Sequence, residues 1–290
     1  MHGRSPILLI GGSGYVGSRL AAELRGSGHD VTTVDTAEAP GAHMRARYQC
    51  LVAEDLAPFD CILWFAGHAS VREATNDPAG ALRNNLSDLW ELRTRLRPDQ
   101  QFIYASSASV YTMVRPELCA ESFQPRSLLN VYDQTKAWFD TLMTTGNNGG
   151  RFWGLRLGTV AGASPRLRTD TVFNAMTLSA HRSGMVHLRN EDVQRGILGL
   201  PDLTRAVEAV MTGTVAPGLY NLASFHMTLG MLASAIALRF GARVEVEPPT
   251  PGYNFRMSCS KFEGAARFRF QDTVASLADE VVSVHGHVPA

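Results

Sequence analysis

The sequence predicts an α/β protein in which a doubly wound parallel sheet is accompanied by a smaller, discontinuous second domain. Two observations support this fold class. Short, continuous apolar segments alternate with amphipathic ones up to Leu157. This pattern is typical of strands that are buried on both faces and are connected by helices. A glycine-rich turn directly follows the first apolar segment and precedes the first amphipathic one.

The elements of the first half follow in order from this alternation. Strands are predicted over residues 6–10, 31–34, 61–65, 101–104 and 153–157. Helices are predicted over residues 18–25, where Leu20, Ala21 and Leu24 share one face, and over residues 85–96. Because connections of the strand–helix–strand type place their strands side by side, the sheet is expected to be parallel.

Beyond residue 157 the alternation loosens, since glycine and proline interrupt the pattern. A strand and three helices are still predicted, over residues 219–222, 203–211, 231–239 and 273–284. We expect residues 1–160 to form the first domain, with a return segment near residues 193–225. Residues 161–192 and 226–290 are expected to form the smaller domain.

The composition excludes several classes of protein. The chain has 290 residues with 27 basic and 27 acidic side chains, so it lacks the basic surplus of a nucleic-acid-binding protein. The apolar run over residues 7–10 is far too short for a membrane span or a signal-peptide core. Cys50, Cys61, Cys119 and Cys259 are scattered, which favours reduced thiols over disulfides or a metal site. We expect a cytoplasmic protein that binds neither nucleic acid nor membranes.

Gly11, Gly14 and Gly17 have the spacing GxxGxxG between a predicted strand and a predicted helix. Glycines permit a tight turn and let backbone N–H groups approach a pyrophosphate, whose charge lies at the positive end of the helix. The turn predicts a Rossmann-type dinucleotide site. A glycine-rich turn without a ligand is the alternative interpretation.

Asp35 ends the second predicted strand, about twenty residues after the glycines. A carboxylate in this place accepts hydrogen bonds from an adenosine ribose, and its charge repels a 2′-phosphate. Thr36, Ala37 and Glu38 follow, so no arginine is adjacent to pair with such a phosphate. The sequence therefore favours NAD over NADP as the cofactor.

Tyr132 and Lys136 are four residues apart, which places them on one face of a helix. A lysine ammonium beside a phenol favours the phenolate and lowers the pKa of the tyrosine. The serine-rich segment Ser106-Ser-Ala-Ser-Val-Tyr111 follows a predicted strand at its carboxyl end, where ligands bind in open α/β sheets. A tyrosine, a lysine and a serine hydroxyl together predict acid–base chemistry at an alcohol or carbonyl carbon.

In this order and spacing, the motifs resemble the extended short-chain dehydrogenase/reductase family, in its branch of NAD-dependent epimerases and dehydratases. The resemblance covers residues 6–225 well and the remaining tail loosely. It implies catalytic roles for Ser107, Tyr132 and Lys136, with Tyr132 as the base. It implies cofactor contacts, with Asp55 at the adenine, from Gly11, Gly14, Tyr15, Val16, Gly17, Asp35, Asp55, Leu56, Phe65, Ala66, Gly67, Asn85, Tyr132 and Lys136.

The sequence departs from the family pattern on the substrate side. The related 4,6-dehydratases carry Asp-Glu at the positions of Ala108 and Ser109, and these two residues cannot replace the carboxyl groups that eliminate water. Thr159 stands where the family usually has asparagine, and Tyr253 ends an element that usually reads Arg-Pro-Gly-Asp. The resemblance implies substrate contacts, with Arg195 at a diphosphate, from His68, Ser107, Ser109, Thr159, Asn174, Arg195 and Arg256.

Three functions remain open from the sequence. The first is a nucleotide-sugar epimerase that acts through a transient ketone and keeps its NAD. The second is a sugar dehydrogenase or ketoreductase with the same residues, and the third is a non-catalytic NAD-binding regulatory protein, because fold alone does not imply function. A homodimer is also expected from the resemblance, through the helix of Tyr132, with Trp138, Phe139 and Leu142 as its apolar seam.

Overall fold

Strands and helices alternate along the chain in the computed structural model, which describes residues 5–111, 118–123, 128–145, 150–213, 215–250 and 252–286. The strands are β1 Ile7–Ile10, β2 Val31–Asp35, β3 His43–Arg45, β4 Cys61–Trp64, β5 Gln101–Ser107, β6 Leu118–Cys119, β7 Arg151–Leu157, β8 Thr159–Ala161, β9 Met185–Leu188, β10 Gln194–Gly199, β11 Gly218–Leu222, β12 Phe225–Thr228, β13 Arg243–Val246 and β14 Arg256–Met257. The α-helices are α1 Tyr15–Gly26, α2 Ala53–Leu56, α3 Val71–Asn76, α4 Pro78–Leu82, α5 Asp88–Thr94, α6 Val131–Thr145, α7 Val172–Ser183, α8 Leu200–Met211, α9 Leu229–Phe240, α10 Ser260–Ala266 and α11 Val274–His285. A π-helical turn, Arg83–Ser87, joins α4 to α5.

Across the described ranges, seven strands pair in parallel in the order β11-β7-β5-β4-β1-β2-β3. Successive side chains of a strand point to opposite faces, and both faces of β1 are fully covered. Leu9 packs with Leu20 and Leu203 of α1 and α8 on one face. Leu8 packs with Leu92 of α5 and Phe139 of α6 on the other. The predicted doubly wound sheet is therefore confirmed.

The strands of the later part of the chain form smaller sheets. β10 lies between β8 and β12, parallel to the first and antiparallel to the second. Two further parallel pairs are β13 with β9 and β14 with β6. α7, α9 and α11 share an apolar core with β8, β9, β10, β12 and β13, while β11 returns to the edge of the large sheet. The predicted domain boundaries stay a prediction.

Three helices begin earlier than the sequence predicted. α1 begins at Tyr15 instead of residue 18, α8 at Leu200 instead of residue 203, and α9 at Leu229 instead of residue 231. The first turn of each helix contains or follows a glycine or a proline, and these residues indicate the end of a helix in a sequence pattern. Gly14 precedes α1, and a proline lies within the first turn of α8, where its missing N–H costs no hydrogen bond.

The predicted helix over residues 85–96 and the helical seam for a homodimer also need correction. Residues 83–87 are π-helical, and α5 is shorter than predicted. On α6, Trp138 and Leu142 are 45% and 38% exposed, but Phe139 is only 1% exposed, since it packs inward on Phe102 and Tyr104. Phe139 therefore belongs to the core and to no seam.

The turn between β1 and α1 leaves no room for side chains. Gly11 has a φ of +91°, in the left-handed region that favours glycine. A Cβ on Gly17 would lie 2.0 Å from the carbonyl oxygen of Gly11. The N–H of Gly14 donates to this same oxygen at 3.1 Å. The chain can therefore enter α1 directly from β1 only while position 17 carries no side chain.

We expect Gly17→Ala to lower the free energy of unfolding by about 1–3 kcal/mol, because an added methyl group forces the backbone of the turn apart. Gly26→Ala is the matched control on the same helix, since a Cβ there meets nothing within 4 Å, and it should leave stability unchanged or slightly raised. Urea unfolding of both variants measures the difference. Equal stability of the two variants would contradict the close contact at Gly17.

Candidate active site

A cavity of about 760 Å³ opens at the carboxyl ends of β1, β2 and β4, the edge of an open α/β sheet at which ligands bind. Its size lies within the range of cofactor and small-molecule sites. It is lined by part of the predicted cofactor residues, namely Gly11, Gly14, Tyr15, Val16, Asp35, Phe65, Ala66 and Gly67. The first turn of α1 faces this cavity, so its free backbone N–H groups can meet a pyrophosphate.

Asp35 is held rigidly at the rim of the large cavity. One carboxylate oxygen accepts the N–H of Ser13 at 2.9 Å, and the other accepts the N–H of Thr36 at 2.7 Å. A carboxylate fixed in this way presents its remaining lone pairs to a ribose. The glycine turn, the helix N-terminus and this carboxylate together fit NAD.

The side chains of Asp55 and Leu56, which are predicted to contact the cofactor, lie on the short helix α2. Asp55 accepts the N–H of Val52 at 3.0 Å and so caps α2, while Leu56 is fully buried in the core. Neither residue is among the described residues that line the cavity. The positions beyond Asp35 are instead occupied by Ala46, Arg47, Tyr48 and Gln49, which directly follow β3.

Asn85 and Gly17 shape the cavity without lining it. The Asn85 side chain accepts the N–H of His68 at 3.0 Å and donates to the His68 carbonyl oxygen at 3.1 Å. Asn85 thereby holds the segment after β4, in which Gly67 has a φ of +91°. These predicted cofactor residues act through the backbone that they position.

A second cavity of about 290 Å³ shares a wall with the first. Tyr15, Val16, Phe65, Ala66 and His68 line both cavities. The smaller cavity also brings together most of the predicted catalytic and substrate residues, namely Ser107, Ser109, Tyr132, Lys136, Thr159 and Arg195. Side chains from β5, α6, β8 and β10 thus meet beside the large cavity.

Two predicted substrate residues lie elsewhere. Asn174 is fully buried, because its amide accepts the N–H of Gly162 and donates to the Tyr15 hydroxyl and the Arg168 carbonyl oxygen. Arg256 is exposed on β14, where alternation turns Met257 inward instead. Asn174 therefore orders a loop, and Arg256 is not among the described residues that line either cavity.

Tyr132 and Ser107 both line the smaller cavity, where the Ser107 hydroxyl donates to the hydroxyl of Ser109 at 2.9 Å. The Lys136 ammonium donates to the carbonyl oxygen of Ala105 at 2.8 Å and lies 5.8 Å from the centre of the Tyr132 ring. Burial raises the pKa of Tyr132, and the Ser107 side chain opposes this rise. Burial also lowers the pKa of Lys136 to about 8.

Lys136 is expected to lower the pKa of Tyr132, and burial of the phenol acts in the opposite direction. Removal of the phenol from water is the largest effect on Tyr132 in this structure, and it favours the neutral form. The hydroxyl of Tyr132 is therefore protonated near neutral pH until further positive charge enters the cavity.

The smaller cavity is cationic. Lys136, Arg168 and Arg195 line it, and no acidic side chain is among its described lining residues. Arg168 is neutralised by Asp170, with two hydrogen bonds of 2.9 and 3.0 Å. Within the described residues, the Arg195 guanidinium donates to two backbone oxygens, those of Gln194 and Tyr253, and burial lowers its pKa to about 10. A buried cation of this kind favours an anionic ligand.

Several lining residues were not predicted from the sequence, because they lie on loops or at helix N-termini, where no periodicity marks them. They are Ser70, Val71, Arg168, Thr171, Tyr253 and Phe255. The Thr171 hydroxyl is buried and has no hydrogen-bond partner in the part of the chain that the structure describes. The hydroxyl of Tyr253 donates to the carboxylate of Asp133 on α6. Of these residues, the sequence marks only Tyr253, which ends an element that departs from the family pattern.

We expect Arg47→Ala to weaken NAD binding about two- to fivefold, the value of one cation–π contact with an exposed base. Arg47 lines the large cavity beyond Asp35, and no hydrogen bond or ion pair of its guanidinium is seen within the described ranges. Arg45→Ala is the matched control, because Arg45 pairs with Glu38 outside the cavity. Calorimetry with NAD and with adenosine monophosphate should give the same loss for both, whereas an unchanged affinity for the monophosphate would contradict this position.

The comparisons with known proteins identify the family. A model of the NAD dependent epimerase/dehydratase family matches residues 7–223. UDP-glucose 4-epimerase of Bacillus subtilis is 24% identical over 172 residues, which are 52% of this chain and 50% of that protein. UDP-glucuronate 4-epimerase 6 of Arabidopsis thaliana is 26% identical over 220 residues, 67% of this chain and 46% of that protein. The chain thus spans about half the length of the curated relatives that it matches.

Solved structures share the fold along nearly the whole chain. The UDP-glucose-4-epimerase from Stenotrophomonas maltophila with bound NAD and formylated UDP-arabinopyranose has a TM-score of 0.84 at 19% identity, over 97% of both chains. The UDP-glucose 4-epimerase of Thermotoga maritima has a TM-score of 0.83 at 18% identity, over 96% of this chain and 97% of that one. The resemblance seen in the sequence is confirmed: the chain belongs to the NAD dependent epimerase/dehydratase family, whose cofactor is NAD.

Proposed function

We propose that the protein is an NAD-dependent epimerase of a nucleotide sugar and acts through a transient ketone. The observation that carries this proposal is the convergence of Tyr132, Ser107 and Lys136 in a cavity that shares a wall with the NAD cavity. NAD, when bound, takes a hydride from the sugar carbon and returns it. The side chains of this chain then need only to orient the sugar and to move one proton.

The proton transfer is assigned to Tyr132. Ser107 and Tyr132 line the same cavity, so a substrate hydroxyl that enters it can hydrogen-bond to both groups. Tyr132 accepts the proton of that hydroxyl as the ketone forms and returns it afterwards. Lys136 supplies positive charge beside the phenol, which favours the phenolate.

The charge of the smaller cavity supports a nucleotide sugar as the substrate. Arg195 is a buried cation without an acidic partner in the described structure, and the buried Thr171 hydroxyl lies in the same wall. A diphosphate satisfies both, because it accepts several hydrogen bonds and carries the opposite charge. The names of the relatives, which are UDP-glucose and UDP-glucuronate epimerases, also support this class of substrate.

The absence of carboxyl groups argues against water elimination. Ala108 and Ser109 line the smaller cavity where the dehydratases carry acids, and no Asp or Glu is among its described lining residues. Asp133 is near, but it is fully buried and accepts the hydroxyl of Tyr253. The chemistry that remains is hydride transfer with proton transfer at one oxygen.

We further propose the domain division given by the sequence, with residues 161–192 and 226–290 as the substrate domain. Arg168, Thr171 and Tyr253 from these segments line the smaller cavity, which supports this division. A homodimer through α6 is supported by the exposed rings and methyl groups of Trp138 and Leu142. The free cysteines support a cytoplasmic location, and no helix of the described segments is long and apolar enough to cross a membrane.

The proposed reaction is tested by incubating the protein with UDP-glucose or UDP-glucuronic acid and measuring the mass of the product. We expect an unchanged substrate mass with NAD still bound, because hydride leaves and returns. Tyr132→Phe should retain NAD and lose activity by about 10²–10⁴-fold, as for other general bases. Tyr220→Phe is the matched control, since the Tyr220 hydroxyl donates to Ala216 outside both cavities. A gain or loss of two hydrogens would instead indicate a dehydrogenase or reductase, and loss of water would contradict the proposal.

We expect Arg195→Met to separate binding from stability. Loss of a buried charged donor should weaken UDP binding about 10- to 100-fold. The free energy of unfolding should stay the same or rise, because the buried cation has no acidic partner. Calorimetry with UDP and urea unfolding measure the two effects, with Arg239→Met, which removes an exposed partner of Asp279, as the control. A large loss of stability with unchanged UDP binding would contradict the role of Arg195.

A further inference from the structure

An ion pair is buried beneath the smaller cavity. The guanidinium of Arg156 on β7 donates to the carboxylate of Asp140 on α6 at 2.8 Å, and the two side chains are only 8% and 2% exposed. Asp140 is four residues after Lys136, so both side chains lie on one face of α6. Neither member of the pair is among the described residues that line the cavities, and the sequence analysis assigned neither a role.

The carboxylate of Asp140 is fixed by three donors. Tyr104 donates to one oxygen at 2.9 Å, while Ser106 and Arg156 donate to the other at 3.0 and 2.8 Å. Ser106 lies between Ala105, whose carbonyl oxygen accepts the Lys136 ammonium, and Ser107. Asp140 and Lys136 therefore hold the end of β5 against α6 from two adjacent turns of the helix.

Arg156 is anchored at its other end as well. Its guanidinium donates to the hydroxyl of Tyr111 and to the carbonyl oxygen of Glu121, both at 3.1 Å. The Tyr111 hydroxyl donates in turn to the amide oxygen of Asn221 on β11 at 2.6 Å. The pair thus cannot reorient without breaking hydrogen bonds to Tyr104 and Ser106 on β5, to the hydroxyl of Tyr111 and to the carbonyl oxygen of Glu121.

Lys136 needs such a counter-ion. Its side chain is 6% exposed and packs over the Trp64 ring, 4.8 Å from the ring centre. The negative charge of Asp140 opposes the effect of burial on this ammonium. Other titratable groups that face this region are Tyr132 and Asp133 on α6, Arg168 near Tyr132, and Tyr104 and Arg156 beside Asp140. From α3, Glu73 acts on Tyr132.

We propose that Asp140 is the counter-ion of Lys136 and that Arg156 holds it in place, so the two act as a positioning pair for the reaction at Tyr132. The role in the reaction rests on the proposed function, whereas the interaction with Lys136 does not. Asp140 and Arg156 change the pKa of Lys136 in opposite directions. The carboxylate keeps the ammonium charged, and the guanidinium weakens that effect.

The chain makes this interaction directly measurable, because Lys136 and Lys261 are its only two lysines. Protein labelled with ¹³C at the lysine ε-carbon gives one signal for each, and Lys261→Arg assigns them. Titration of these signals reports the pKa of each amine without any substrate. Lys261 is an internal reference, since it donates to Leu219 outside both cavities.

In Asp140→Asn the pKa of Lys136 should fall by about one unit or more, because the ammonium loses its counter-ion and faces an unpaired Arg156. In Arg156→Gln it should rise, because the carboxylate is no longer neutralised. Lys261 should titrate as in the unmodified protein in both variants. A purely structural pair would move Lys136 in the same direction in both variants or not at all, and either result overturns the proposal.

Two further variants separate the charge effect from loss of fold. Asp140→Glu restores the charge and should return the pKa of Lys136 most of the way. Asp202→Asn removes another buried carboxylate, one that pairs with Arg205, and should leave Lys136 unchanged. If Arg156→Gln does not fold, the contrast between Asp140→Asn and Asp140→Glu decides, and equal titration of Lys136 in these two overturns the proposal.

The pH dependence of kcat/KM for UDP-glucose then tests the role in the reaction. Its alkaline limb should move to lower pH in Asp140→Asn and to higher pH in Arg156→Gln, in step with Lys136. If the pKa of Lys136 changes in the variants but the alkaline limb of kcat/KM stays at the same pH, the positioning role is overturned. Shifted signals in a protein that never converts a nucleotide sugar would uphold the counter-ion and refute the proposed function.

Discussion

The close contact between Gly17 and the carbonyl oxygen of Gly11 is the constraint on which the site depends. It brings the N-terminus of α1 to the edge of the sheet and places Tyr15 between the two cavities. The Tyr15 hydroxyl donates to Gly162 and accepts from Asn174. Asn174 also donates to the Arg168 carbonyl oxygen. The turn between β1 and α1 therefore determines where a pyrophosphate can lie and also helps to order the segment around Arg168.

The large sheet could be predicted from the sequence because its strands are buried on both faces and therefore read as unbroken apolar runs. β3 could not, since it has only three residues and none of them is fully buried. Missing this strand had a consequence for the site. The resemblance implies Asp55 at the adenine, and the pattern gives no sign of Ala46 to Gln49, which line the large cavity directly after β3.

The local part of the active site was also predictable. Tyr132 and Lys136 lie one helical turn apart and Ser107 ends a strand, so short-range rules suffice to bring them together. Arg168, Thr171 and Tyr253 reach the cavity on loops, and Asp140 acts from beneath it. No periodicity marks such residues, because tertiary packing alone decides whether a loop residue or a buried acid meets the site. The same holds for Asn174, because only the tertiary structure shows that its amide bonds to Gly162, Tyr15 and Arg168.

The wall shared by the two cavities has a consequence for the order of binding. Because Tyr15, Phe65 and His68 line both, a dinucleotide in the larger cavity completes one side of the smaller one. Arg195 and Tyr253 border only the smaller cavity, while Asp35 borders only the larger. The architecture therefore favours ordered binding, in which a dinucleotide enters the larger cavity first and a ligand of the smaller cavity then enters and leaves past Arg195 and Tyr253.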